Sequence, residues 1–212
     1  MKEAYKIISM QIGEPKAVIR HGEEQWTSFL KTPTKQTVFL TSQGLVGDGQ
    51  AVTKHHGGAE KAVCVYPFKH YAYWEKQVGK EMHIPAFGEN VTVDTLDEET
   101  VFIGDVFQWG EAIVQVNQPR KPCARISFVH NVKDLMKQVV QSGFTGYYMR
   151  VLQEGHVSMH DTMKRIRSNK SISVAEINRL LYKNRKDKAA LKQAIKTEGL
   201  AEDLRNSLAS FA

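Results

Sequence analysis

Cysteine is almost missing from this chain, with two residues, Cys64 and Cys123, in 212. That is too few for a disulfide framework or a structural zinc site, so the expectation is two free thiols in a reducing compartment. Long apolar runs are missing as well. None approaches the roughly 20 residues that cross a bilayer as a helix. The N-terminus, M-K-E-A-Y-K-I-I-S-M, has neither an apolar h-region nor a small-residue cleavage site, which predicts no signal peptide and a cytoplasmic location. The phosphate-loop spacing G-x-x-x-x-G-K-[ST] is also absent.

What is present is the composition of an ordinary globular protein, 42% hydrophobic and 25% charged. The length suffices for one full core, or one domain with an appendage. The net charge of +6 is unevenly placed: from Lys164 onward twelve Lys and Arg stand against five Asp and Glu. The basic excess therefore belongs to the C-terminal quarter. A nucleic-acid-binding module using that tail is one reading, but basic helical faces are usually only solvated, and it is the weaker one.

Short runs rich in Val, Ile, Phe and Tyr predict strands at Ala4–Ser9, Thr37–Thr41, Ala62–Tyr66, Asn90–Val93, Ala112–Val116 and Tyr147–Leu152. Strands this short, broken by Gly, Pro and Asp, predict an antiparallel or mixed β-barrel instead of a βαβ sheet. Two helices interrupt them. One has Pro67 in its first turn, passes through His70, Tyr71 and Trp74, and stops at Gly79. The other is capped by Asn131, carries Leu135, Met136, Val139 and Val140, and stops at Ser142-Gly143. Near Arg167 the pattern changes. Ser173-Val174-Ala175-Glu176 is a capping box for a helix with Val174, Ile177, Leu180 and Leu181 inward. Asp187 caps a second helix, and Leu200, Leu204 and Leu208 mark a third. The expectation is a mainly β barrel domain over residues 1–165 and a small three-helix unit over 166–212.

The chemistry centres on Val116–Ile126, V-N-Q-P-R-K-P-C-A-R-I. Pro119 and Pro122 fix φ and remove donors, so the segment is expected to be a stiff loop, neither helix nor central strand. Arg120, Lys121 and Arg125 surround Cys123 in sequence and favour its thiolate, the form that attacks or binds metal. Upstream, K-H-H-G-G-A-E-K places Gly57 and Gly58 after His55 and His56, with Lys61 able to meet a phosphate. Ala86-Phe87-Gly88-Glu89-Asn90 is a polar turn whose Glu89 and Asn90 are expected at the barrel rim. Gly104-Asp105 reads as a hairpin turn. Arg150, inside an apolar strand, needs an anionic partner. Cys64, in A-V-C-V-Y, reads as core.

The motifs G-L-V-G-D (44–48), H-G-G-A-E-K-A-V (56–63), Y-P (66–67), F-G-E-N (87–90), Q-P-R-K-P-C (118–123) and G-Y-Y-M-R-V-L (146–152), in this order, resemble the MOSC family, the molybdenum-cofactor sulfurase C-terminal domain. I-S-V-A-E-I-N-R-L-L (172–181) resembles the three-helix unit that follows it in the YiiM-like branch. The resemblance implies a barrel that binds the molybdenum cofactor (molybdopterin) with Cys123 as metal ligand and catalytic residue. His56, Gly57, Gly58, Lys61, Phe87, Gly88, Glu89, Asn90, Arg120 and Arg150 are the implied cofactor contacts. The implied activity is reduction of N-hydroxylated compounds such as hydroxylaminopurines and hydroxylamines, with the cofactor supplying the two-electron chemistry. No flavin or iron–sulfur motif is present, so separate electron-donor proteins are expected. A sulfur carrier with a persulfide on Cys123 is the alternative within the resemblance. A homodimer is left open, and no membrane partner is expected. The chain departs from the family pattern at Val52, Ala124-Arg125 and His160, positions that bear on the substrate pocket.

Overall fold

The computed structural model describes residues 3–20, 22–49 and 57–212. Their strands are β1 (Ala4–Ile12), β2 (Lys16–Arg20), β3 (Glu23–Thr27), β4 (Thr32–Pro33), β5 (Val38–Thr41) and β6 (Gly44–Leu45). Then come β7 (Val63–Pro67), β8 (Val91–Val93), β9 (Val106–Trp109), β10 (Ala112–Pro119), β11 (Tyr147–Gln153), β12 (Gly155–Val157) and β13 (Thr162–Arg167). Seven of them close a barrel in the order β13-β9-β10-β11-β7-β8-β1, with β1 pairing back onto β13. Every neighbouring pair in the ring is antiparallel except β7 and β8. Closure leaves the ring without an open edge. Val63, Val65, Val93, Phe107, Trp109, Val114, Val116, Tyr147 and Met149 fill the main core.

All six expected strands form, several of them longer than expected. The boundaries correct three expectations. Pro67 ends β7, and α1 (His70–Val78) begins three residues later, closing at a left-handed Gly79. Val116 to Pro119 are strand, not loop: Pro119 is the last residue of β10, opposite Tyr147, where a missing donor is tolerated. The stiff loop is therefore short and leads straight into an unexpected helix, α2 (Arg125–His130). Asn131 closes that helix in the left-handed conformation instead of opening the next one. Then α3 (Leu135–Ser142) buries Leu135 and Val139 and ends at Gly143. These three helices cover a second aromatic core of Tyr66, Tyr71, Trp74, Phe87 and Ile126.

The C-terminal helices are α4 (Val174–Tyr182), α5 (Lys188–Ile195) and α6 (Glu202–Ala209). The Ser173–Glu176 capping box forms, and the Asp187 side chain accepts from the Ala190 amide. Their apolar faces do not make a separate core. Val174, Ile177, Leu180, Leu191, Leu204 and Leu208 join the barrel's own apolar cluster. Three backbone-level contacts fix this docking. The Ala201 amide donates to the Asn117 carbonyl at 3.0 Å, and Arg150 Nη2 donates to the Gly199 carbonyl at 2.6 Å. Gly104 and Gly199 meet so closely that a Cβ on Gly199 would lie 2.8 Å from the Gly104 Cα. Gly104-Asp105 is a turn but not a hairpin, since the strand before it, β8, does not pair with β9. Its Asp105 carboxylate instead takes the Phe102 and Asn169 amides, which ties the barrel to the segment leading into α4.

Candidate functional site

The loop after β10 brings Cys123 to a cavity of about 90 Å³ between the end of β7, the turn before β8 and the segment after β3. Its lining includes Phe29, Lys31, Asp48, Lys61, Cys64, Gly88, Asn90, Arg120, Cys123, Arg125 and Tyr148. Several of these are fixed by bonds that begin with the backbone. Asp48, at the end of G-L-V-G-D, accepts from the Gly13 amide at 3.0 Å and from Asn90 Nδ2 at 2.8 Å. Lys31 is ion-paired with the same carboxylate, and both are nearly buried. Asn90 Oδ1 accepts from the Cys64 amide at 3.1 Å, which couples the turn before β8 to β7. Gly88 has φ +70, and a Cβ there would come within 2.9 Å of the Phe29 ring, so only glycine lets this turn approach the cavity wall.

Arg120 is a buried cation in the wall of the site. It is 6% exposed, its amide donates to the Gly146 carbonyl at 3.0 Å, and its guanidinium sits 5.9 Å from the centre of the Phe29 ring. Burial works against the cation, but the field of Cys64, Tyr148 and Cys123 holds the guanidinium above its ordinary value. Its Nη1 is buried and has no hydrogen-bond partner among the described residues. A buried guanidinium with a spare donor, lining a cavity, has the charge and the geometry to take an anion.

Cys64 lines this cavity too. It is buried, as its strand context implies, yet it faces the cavity and not the packed cluster formed by Val63 and Val65. Burial pushes its thiol up to about 11, with Arg120 pulling the other way. Its partner across the strands is Tyr148, whose phenol is also raised by burial.

The other expected contacts divide. Lys61, Gly88, Asn90, Arg120 and Cys123 all line the cavity. Gly58 precedes a single 3₁₀ turn, Ala59–Lys61, and neither it nor Gly57 lines the wall. His56 lies outside the described residues, as do His55 and Val52. Phe87 is buried and stacked on Tyr66 at 4.1 Å, inside the aromatic core. Glu89 is fully buried instead of standing at the rim. Its carboxylate takes the Tyr71 hydroxyl, the Phe87 amide and the Thr92 hydroxyl, and burial raises its pKa. Phe87 and Glu89 thus shape the turn from behind. Arg150 finds its anionic partner in the Glu60 carboxylate at 3.1 Å and also donates to the Gly199 carbonyl, away from the cavity. Phe29, Lys31, Asp48 and Tyr148 had not been anticipated as wall residues. Only Asp48 carried a signal, its place directly after Gly47 in a glycine-punctuated turn.

A closed barrel with a thiol, a buried arginine and a three-helix unit on its flank defines a class, and sequence comparison agrees with it. The MOSC domain model matches residues 52–164, and the YiiM-like 3-alpha helix domain model matches residues 172–210. The chain belongs to the MOSC domain family, in its YiiM-like branch. It is 42% identical over 207 residues to the uncharacterized protein YflK of Bacillus subtilis, covering 97% of this chain and 94% of that one. The crystal structure of YiiM from Geobacillus stearothermophilus superposes with a TM-score of 0.82 at 34% identity, over 98% of each chain. A protein of Gibberella moniliformis named a reductase is 31% identical over 146 residues, 67% of this chain and 26% of that protein. The family is associated in general with molybdenum-cofactor binding.

Proposed function

We propose that this chain is a molybdenum-cofactor-dependent reductase of N-hydroxylated compounds, with Cys123 as the protein's ligand to the metal. The observation that supports it most is the Nη1 of buried Arg120, which has no partner among the described residues, in the wall that also carries Cys123. The residues present fit the group: a soft sulfur donor suits the metal, and a fixed guanidinium suits an anionic cofactor. Lys61 and Arg125, in the same wall, add positive charge, while Asn90 and the Gly88 turn supply shape.

When bound, the cofactor supplies two-electron redox chemistry. The net change is R–NHOH plus two electrons and two protons giving R–NH₂ and water, and the electrons come from separate donor proteins. The chain's own task is to hold and orient. The Cys123 sulfur is carried on a loop pinned between Pro119 at the strand end and α2. Arg120 neither loses its charge nor moves freely, being buried and tied through its amide to Gly146.

The test is expression in a host that makes the cofactor, followed by molybdenum analysis and a reduction assay with hydroxylamine and a chemical electron donor. Near-stoichiometric molybdenum and turnover are expected. A metal-free protein that instead carries a persulfide on Cys123 would replace this reading with sulfur transfer.

A further inference from the structure

A cavity of about 500 Å³ lies where the helical unit meets the barrel domain, between the start of α1, the turn after β8, the end of α3 and one face of α4. It shares no lining residue with the Cys123 cavity. Its volume is within the usual range for small-molecule sites, roughly 300–1,000 Å³. The floor is made of buried acceptors. Glu98 is 3% exposed; one carboxylate oxygen accepts from the Gly146 amide at 2.7 Å, and the other meets His70 Nε2 at 2.7 Å. Asn178 is also 3% exposed. Its Nδ2 donates to the Gly143 carbonyl at 3.1 Å and to Thr145 Oγ1 at 2.8 Å. Its Oδ1 is buried and has no hydrogen-bond partner among the described residues. Such an acceptor in the wall of a polar cavity calls for a donor brought from outside.

The rim carries the opposite chemistry. Arg179 and Lys183 stand one turn apart on the cavity face of α4, and both are exposed. Arg179 has a long ion pair of 3.8 Å with Glu176, of the exposed kind that is worth little. The amides at the start of α4 are already spent, Ala175 on the Glu98 carbonyl at 2.7 Å and Glu176 on Ser173 Oγ at 3.1 Å. An anion in this cavity is therefore met by the two cationic side chains and not by the helix end. Val140 and Phe144 supply apolar surface between floor and rim, with the Phe144 ring held by stacking on His70 at 3.9 Å.

We propose that this cavity binds a free α-amino acid with an apolar side chain. The ammonium group donates to Asn178 Oδ1 and to the Glu98 carboxylate, the carboxylate is taken by Arg179 and Lys183, and the side chain packs against Val140 and Phe144. A simple amine would leave the two rim cations unused, and a simple anion would leave the floor acceptors unmet. His70, Glu98 and Phe144 belong to the barrel domain, while Asn178, Arg179 and Lys183 belong to the helical unit. The bound amino acid therefore ties α4 to the barrel. The site is independent of the proposed reductase function and of any cofactor.

The experiment is calorimetry on the full chain with L-leucine, L-methionine and L-phenylalanine, and with two analogues of leucine. Isopentylamine lacks the carboxylate, and isocaproate lacks the ammonium group. The variants are Arg179→Ala and Asn178→Leu, with melting temperature as a fold control. Arg179 is exposed, so its variant reports even if the loss of the Asn178 bonds weakens the fold. The expected result is saturable binding of at least one of the three amino acids. Each variant should weaken it about tenfold, the loss that goes with one charge-assisted hydrogen bond. Both leucine analogues should bind at least about tenfold more weakly than leucine for the same reason. Amide hydrogen exchange should slow in α4 and in the turn after β8 when the amino acid is added. Absence of saturable binding for all three amino acids would overturn the assignment. So would isopentylamine binding as tightly as leucine, since the cavity would then be a plain amine site. Affinity unchanged in Arg179→Ala would place the amino acid elsewhere and overturn it as well.

Discussion

Cys64 and Cys123, one near the start of a barrel strand and the other in a loop 59 residues later, line the same cavity. Their surroundings separate their roles. Cys64 is buried with its thiol pushed up to about 11 and stays protonated at neutral pH, while Cys123 is only partly buried. Replacing Cys123 with serine should abolish molybdenum retention without lowering the melting temperature, since a hydroxyl is a poor substitute for a soft sulfur donor. Replacing Cys64 with alanine should cost about 1 kcal/mol of stability and leave the metal in place. Mass spectrometry and thermal melts on both variants check the pair. Retained metal in the Cys123 variant would refute its assignment.

Arg120→Leu should separate binding from folding. It removes a buried cation whose Nη1 has no partner among the described residues, so the melting temperature should hold or rise. Cofactor retention should fall about tenfold, as expected for a lost charge-assisted hydrogen bond. Molybdenum content after dialysis, compared at equal fold content, measures it.

Arg150→Ala should loosen the helical unit. The change removes the bond to Gly199 and the ion pair with Glu60, for a loss on the order of 2 kcal/mol. Amide hydrogen exchange should rise around Leu200 and Leu204 before it rises in β7 or β10. Uniform exchange across the chain would show that the arginine is not a docking element.

His130 predicts a pH dependence. Its ring is mostly buried, with Nε2 2.5 Å from the Ala86 carbonyl, and burial lowers its pKa below 6.5. The unfolded chain therefore binds this proton at a higher pH than the folded one. Stability from the neutral ring is complete above about 6.5 and is lost as the pH falls toward the folded value. Melting temperatures between pH 7.5 and about 5 should drop more steeply for the wild type than for His130→Gln, which keeps a donor but cannot titrate.

Much of the barrel was legible because its strands are runs such as V-C-V-Y and A-I-V-Q-V, whose branched and aromatic residues have few other uses. The β2–β3 hairpin was not, since Val18 and Thr27 are its only fully buried residues, and K-A-V-I-R and E-E-Q-W-T show no repeating apolar face. The helix at Arg125 was hidden behind two prolines that read as loop. Asn131 misled because asparagine both opens helices and, in the left-handed region, closes them. In the site, Cys123 and Arg120 stood out by their neighbours in sequence. Glu89 did not reveal its burial, because the groups that take its carboxylate include Tyr71, 18 residues away on another element. Lys31 likewise depends on an aspartate supplied by a separate turn.

Gly104 and Gly199 place two main chains against each other with no room for a side chain on either. That contact restricts how such proteins can be recombined. A barrel grafted onto a foreign helical tail inherits the docking only if both partners bring their glycine. A single exchange for alanine at either position puts a methyl group into the backbone of the facing segment, at a positive φ that alanine rarely adopts. Barrel and tail thus dock as a matched pair, and the match is kept by two residues that carry no chemistry of their own.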